Sequence, residues 1–330
     1  MQSNQDTGSA CTEYGDMATE KFRQEVFDGL ASTPRRLSSK YFYDEKGDRL
    51  FQQIMAMPEY YLTKCELDIF SNKTPELFKA IVQDDEPFDL IELGAGDGMK
   101  SSYLIKYLQE EGVEFTYMPI DISGSILNVL NEKLRSDIPE VSILSLEGEY
   151  FEMLGKAASL SQRRKVVLFL GSNIGNMELN EAFEFSMELN KKLSTGDVIL
   201  IGFDLRKNPH TILNAYNDKA GITAAFNLNL LTRINRELDA DFDVEQFQHF
   251  QTYDPESGAC RSYLISLLNQ NVRIGGETIS FVKDELIYME VSQKFSKCEI
   301  KEMAQQTGFD FVGEISDSKG WFLDAAWRVI

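Results

Sequence analysis

Residues Phe88 to Leu108 read FDLIELGAGDGMKSSYLIKYL, and the order of residue types in that stretch decides the fold. Phe88 to Leu93 suit a buried strand, glycine then recurs at every second position (Gly94, Gly96, Gly98), and Tyr103, Leu104, Tyr107 and Leu108 share one face of a helix. A strand, a glycine turn and a helix in that order imply a nucleotide-like ligand. A dinucleotide fits poorly, because G-x-G-x-x-G needs its third glycine where Met99 stands, and Gly98 comes one residue early. The pattern is instead E-x-G-x-G-x-G, with Glu92 near the end of the strand. On these residues alone, glycine as simple backbone punctuation between strand and helix stays open.

Working outward, short β-branched runs alternate with helical segments: EFTYMPIDIS, the apolar alternation around Val141 to Leu146, KVVLFLGSN and GDVILIGFDL. That alternation predicts a doubly wound α/β domain with a parallel sheet covered on both faces. Asp121 ends the strand after the glycine turn, where a carboxylate accepts hydrogen bonds from ribose hydroxyls in this topology. LFLGSNIGNM places Gly171, Ser172, Asn173, Gly175 and Asn176 at the carboxyl end of a later strand, where open α/β sheets bind ligands. Asn176 offers donors and an acceptor without demanding a proton, or else merely fills a left-handed turn. After Leu205 the chain turns helical and polar-rich, then alternates in RSYLISLLNQNVRI and DELIYMEVSQKF, as an insertion or second domain would. A helix stopped by Gly308 and a terminal hairpin turning at Ser318 to Gly320 close the sheet.

With 330 residues, 43% of them hydrophobic, the chain can bury a large core. Its net charge of −20 repels phosphate backbones and anionic lipid, and no Lys/Arg cluster offsets it, which argues against nucleic-acid and membrane partners. The opening MQSNQDTGSACTEYGDM has neither the basic start nor the apolar run of a signal peptide, and no later stretch approaches the ~20 apolar residues of a membrane span. A cytoplasmic protein with a disordered leader over residues 1–17 is expected. Cys11, Cys65, Cys260 and Cys298 lie far apart, with only His210 and His249 to join them, so neither a metal site nor a disulfide framework is expected.

The glycine turn resembles the first motif of class I S-adenosylmethionine (SAM)-dependent methyltransferases. KYFYDEKGDRLFQQI, PEYYLTKCE, IELGAGDG, LGSNIGN, AYNDKAGITAAFN, NRELDADFD and MEVSQKF, in that order from about Phe22 onward, resemble a narrower family: the L-histidine Nα-methyltransferases, which make the trimethylated betaine hercynine in ergothioneine biosynthesis. The resemblance implies a Rossmann-like sheet with a terminal antiparallel hairpin (65–206 and 295–330) and a second, α+β substrate-binding domain (18–64 and 207–294). It implies that Gly94, Gly96, Lys100, Asp121 and Gly171 hold SAM, with Glu149 and Tyr150 where the family usually has Asp-Phe beside the adenine. It implies further that Tyr43, Tyr60, Asn176 and Tyr216 hold the amine and carboxylate of the amino acid, that Phe51 walls the pocket, and that Glu290 and Ser292 hydrogen-bond the imidazole. Tyr43, Tyr60 and Asn176 are the catalytic candidates.

One departure bears on the substrate. Histidine-specific members carry methionine where this chain has Ser262, and a serine leaves more room and adds a hydroxyl near the substrate side chain. A site built around a hydrogen bond rejects an analogue lacking it by ~10⁴, whereas methylenes discriminate only ~10- to 200-fold. Retention of Glu290 and Ser292 therefore favours histidine. Another aromatic or modified amino acid, and a catalytically silent module binding SAM or an amino acid, remain the alternatives. Read without the family, Glu290 and Ser292 are first an alternating solvent-facing strand, and the tyrosines ordinary partly buried ones, the commoner fate of such residues. A monomer acting on a small molecule is expected.

Overall fold

The computed structural model describes residues 7–330, with side chains from Thr19 onward. In chain order the helices and strands are α1 (Thr7–Ala31), β1 (Arg35–Arg36), α2 (Glu45–Ala56), α3 (Leu62–Asn72), α4 (Thr74–Ile81), β2 (Phe88–Leu93), α5 (Ser101–Glu110), β3 (Phe115–Asp121), α6 (Gly124–Asp137), β4 (Ser142–Ile143), β5 (Leu146–Glu147), α7 (Tyr150–Leu160), β6 (Arg164–Phe169), α8 (Leu179–Lys192) and β7 (Val198–Asp204). They continue with α9 (Pro209–Tyr216), α10 (Ile222–Leu238), β8 (Phe247–Tyr253), β9 (Ala259–Ser266), β10 (Gln270–Ile274), β11 (Glu277–Phe281), β12 (Leu286–Gln293), α11 (Lys297–Gln306), β13 (Phe309–Ser316) and β14 (Phe322–Val329). The leader expected over residues 1–17 lies outside the described residues up to residue 6, and from Thr7 its backbone belongs to α1.

Two compact units divide the chain, one of Met1–Tyr60 with Pro209–Val291 and a larger one of Tyr61–Asn208 with Ser292–Ile330. In the larger unit the strands run β13-β14-β7-β6-β2-β3-β4, with β5 also on β3. Strands β2 to β7 pair in parallel, and β14 enters antiparallel between β13 and β7. Every residue of β2 and β7 is buried, as expected of strands covered on both faces. The core stacks Phe169 on Phe185 (4.7 Å) and leans Trp327 on Phe203 (5.7 Å) and Phe309 (5.6 Å). Side chains of this size stabilise the fold by about 1.5–3 kcal/mol each when fully buried. From β2 the chain steps outward on one side to β3 and β4, then returns to the other through β6 and β7. The switch point therefore falls at the carboxyl end of β2, where the glycine turn begins.

The smaller unit carries a sheet of order β1-β12-β9-β8 and a separate β10–β11 hairpin. Helix α10 starts where Asp218 accepts the amide hydrogens of Ile222 (2.9 Å) and Thr223 (2.8 Å), groups that would otherwise lack a partner at a helix start. Its apolar face, Phe226, Leu230, Leu231 and Ile234, packs with Phe42, Leu264 and Met289 into a second core. Among the described residues no helix is long and apolar enough to cross a membrane, and no cluster of metal-ligating side chains occurs.

Candidate active site

In the larger unit the turn after β2 is shaped by conformations that only glycine takes readily. Gly94 has φ 71° and Gly171 φ 78°. A Cβ on Gly94 would lie 2.7 Å from the Tyr150 hydroxyl, and one on Gly171 would lie 3.5 Å from Lys100 Nζ. Asn173 borders both places, at 3.6 Å from the first and 3.5 Å from the second. Gly94 and Gly171 thus leave room into which Tyr150, Lys100 and Asn173 reach. Beside it, Asp121 receives the amide hydrogens of Gly96 (3.2 Å) and Ser123 (3.0 Å) while remaining partly exposed at the end of β3. Glu149 immediately precedes α7, is exposed, and makes no capping bond with its side chain.

Glu92 turns inward. Burial raises its carboxyl to about 7, against the Tyr117 hydroxyl that donates to it and the nearby Lys100. The Lys100 ammonium is held by Glu66, a buried residue of α3 whose two oxygens also accept the Gly171 amide hydrogen at 2.8 and 2.9 Å.

The loop carrying Asn176 begins with Ser172 in a left-handed conformation (φ 56°), and its hydroxyl accepts the Asp204 amide hydrogen at 3.1 Å. Gly175 lets this loop approach β12, because a Cβ there would stand 2.9 Å from the Gln293 carbonyl oxygen. Asn176 closes the short helical turn and is exposed. At the end of β12, Lys294 Nζ donates to Ser292 Oγ (2.7 Å) and to Asp204 Oδ2 (2.8 Å), both ions being fully buried. Tyr61 donates to the same Asp204 oxygen at 2.8 Å, and Lys207 pairs with the other. An ammonium has no acceptor capacity, so Ser292 accepts from Lys294 and directs its own proton elsewhere.

In the smaller unit Tyr43 meets Phe51 (5.5 Å) and Phe226 (5.7 Å) edge-on, while Tyr60 meets Tyr216 edge-on at 6.0 Å. Glu290, on β12, is half-buried. Ser262 differs from its expectation. It is 1% exposed, donates to Asn227 Oδ1 at 2.7 Å, and lies 2.9 Å from His249 Nε2. Because Asn227 gives its amide nitrogen to the Thr223 carbonyl, its oxygen takes the Ser262 proton, and His249 must present an Nε2–H to Ser262. The added hydroxyl is therefore spent inside the protein. Burial lowers the His249 pKa to about 4, so the ring is neutral.

The family described as "Histidine-specific methyltransferase, SAM-dependent" matches residues 22–329. The chain belongs to that family. This methyltransferase is 35% identical over 282 residues to a histidine N-alpha-methyltransferase of Mycolicibacterium smegmatis, covering 85% of this chain and 86% of the other. It is 29% identical to ergothioneine biosynthesis protein 1 of Schizosaccharomyces pombe, over 84% of this chain but only 37% of that longer protein. A third relative, the 4-dimethylallyltryptophan N-methyltransferase easF of Claviceps fusiformis, is 29% identical over 58% of this chain and 56% of its own. The methyltransferase fits its donor: a Cβ would fill the cradle at Gly94 or Gly171, a carboxylate stands at the end of β3, and a lysine borders the cradle. Glu66, Lys294 and His249 escaped the sequence reading. Glu66 and Lys294 stand within PEYYLTKCE and MEVSQKF, but nothing local marks their partners.

Proposed function

We propose that the protein trimethylates the α-amino group of L-histidine with methyl groups from SAM, giving hercynine. The observation that carries this reading is the polarity of β12. Ser292, accepting from Lys294, keeps a proton to donate, and Glu290, two residues earlier on the same face of the strand, is an acceptor. A neutral imidazole carries one N–H and one bare nitrogen and answers both groups; an indole answers only the acceptor. Engagement of Ser262 by Asn227 and His249 supports the same choice, since its hydroxyl is not offered to a ligand.

In this proposal Gly94, Gly96 and Gly171 give SAM its backbone cradle, Asp121 receives the ribose hydroxyls, Lys100 meets the carboxylate, and Tyr150 with Glu149 flanks the adenine. Bound SAM supplies an electrophilic methyl on a sulfonium. Tyr60, Asn176 and Tyr216 orient the amine and carboxylate of histidine, and Phe51 packs its ring. In-line displacement needs a free lone pair on nitrogen, so most of the rate comes from positioning. An α-amine with a pKa of roughly 8 in peptides is mainly protonated at neutral pH, and Tyr60 and Asn176 orient it without a carboxylate that would hold the ammonium form. Tyr43 or a water carries the proton away. Location and partners belong to the same proposal: a cytoplasmic monomer on a free amino acid, in keeping with the net charge of −20.

The test is mass spectrometry of purified protein with SAM and each proteinogenic amino acid in turn. Three methyl additions to histidine alone support the reading. Methylation of tryptophan instead favours the alternative that the Claviceps fusiformis relative suggests, another aromatic or modified amino acid. Binding of both ligands without product would make the protein a silent module.

A further inference from the structure

Behind the donor cradle lies a pair of carboxyl groups with no assigned role. Glu66 joins two loops through one side chain: it takes the Gly171 amide hydrogen on both oxygens and holds the Lys100 ammonium on Oε2. Asp324, on β14, is fully buried, and neither of its oxygens has a hydrogen-bond donor within reach. It stands directly opposite Gly202 on β7, where a Cβ would lie 3.2 Å from Asp324 Oδ1 and press on Glu66 Oε1. Both carboxyls therefore occupy the space that this glycine leaves open. Glu92 on β2 adds a third acid facing Lys100 and Glu66, itself met by Tyr117 on β3 and Ser101 at the start of α5. Lys100 is the one cation facing these three acids among the described residues.

A buried carboxylate without a donor is an arrangement folded proteins avoid, and two ionised carboxylates side by side repel. A carboxylic acid in place of the Asp324 carboxylate removes both difficulties, because it gains a proton to donate and Glu66 is the acceptor beside it. We propose that Asp324 and Glu66 share one proton, and that the pair positions Lys100 and the Gly171 amide to receive the donor. Burial, with Glu66 nearby, drives the Asp324 carboxyl well above the ordinary carboxylate range, against the pull of Lys100. Glu66 and Asp324 are positioning residues acting through Lys100 and Gly171. The inference rests on the donor role of Lys100 and is independent of which amino acid is methylated.

The experiment reads S-adenosylhomocysteine binding by calorimetry from pH 6 to 9, which needs no turnover, and the infrared band of a protonated carboxylic acid. Wild type shows that band at neutral pH, larger than Glu92 with its carboxyl raised to about 7 supplies alone. D324N, whose amide donates to Glu66 permanently, loses the part of the band that Glu92 does not supply and binds within about threefold of wild type at pH 7. E66Q weakens binding by about tenfold or more at every pH while leaving the circular-dichroism spectrum unchanged. A band that D324N leaves undiminished, or a D324N as weak as E66Q, overturns the proposal. If E66Q does not fold, the loss of band and the retained affinity of D324N still decide it. Wild type that binds no S-adenosylhomocysteine at any pH overturns the donor reading and this inference together, whereas failure to methylate histidine leaves both standing.

Discussion

The two units hold their functional groups by different means. In the larger one, the space at the switch point is outlined by backbone: Gly94 and Gly171 in left-handed conformations, and the Gly96 amide on Asp121. In the smaller one, the corresponding groups are side chains from distant segments, such as the Tyr60–Tyr216 contact and the chain from Asn227 through Ser262 to His249. A site drawn in backbone leaves a short periodic trace in the sequence. A site drawn in side chains leaves residues whose meaning depends on partners far away.

The sharpest way to break this contrast is G94V. A left-handed conformation costs a branched residue about 1–2 kcal/mol, and crowding the Tyr150 hydroxyl adds about 1–3 kcal/mol. S-adenosylhomocysteine affinity should fall by about 4 kcal/mol, near 1,000-fold, with the fold intact by circular dichroism. An unchanged affinity would mean that the glycine turn is punctuation after all.

A somewhat smaller effect concerns acid stability of the smaller unit. His249 is held near 4 in the folded protein, below its value of about 6.5 when unfolded. Its folded pKa is depressed, so this stability is present above pH 6.5 and is lost as pH falls toward 4, by about 3 kcal/mol in all. Thermal unfolding midpoints should drop over that window in wild type, and H249Q should flatten the drop.

S292A should raise the KM for histidine about 30-fold, the worth of a hydrogen bond of about 2 kcal/mol held by a charged neighbour, and leave S-adenosylhomocysteine affinity unchanged. Equal losses of both would show that Ser292 serves the fold rather than the imidazole. The smallest effect on substrate is expected from S262A. Its hydroxyl serves Asn227 and His249, so the histidine KM should move less than about twofold while the unfolding midpoint falls by a few degrees.

The sequence displayed the donor half well for the same reason that the contrast exists. Strand, glycine turn, helix and the carboxylate at Asp121 all lie within one short stretch, and backbone geometry ties them together. Ser262 was legible as a residue but not as an environment, since its partners lie 35 and 13 positions away. Glu66 reads as one more acid on an amphipathic helix until α3 packs on β14 and brings it to Lys100 and Asp324. Lys294 reads as a surface lysine, and the Asp204 carboxylate and the Ser292 hydroxyl beside it help make its burial tolerable.

The antiparallel seat of β14 beside β7 has a consequence for how the protein is born. Val198–Asp204 leaves the ribosome long before Phe322–Val329, its neighbour in the finished sheet, has been translated. Throughout that interval one side of a strand apolar but for Asp204 is an open edge, the kind of surface on which nascent chains aggregate. The same later strand delivers Asp324 to the donor half, so the carboxyl pair behind the cradle forms only after β14 has been translated. Stop codons shortly before Phe322 should yield chains that are sticky rather than merely inactive.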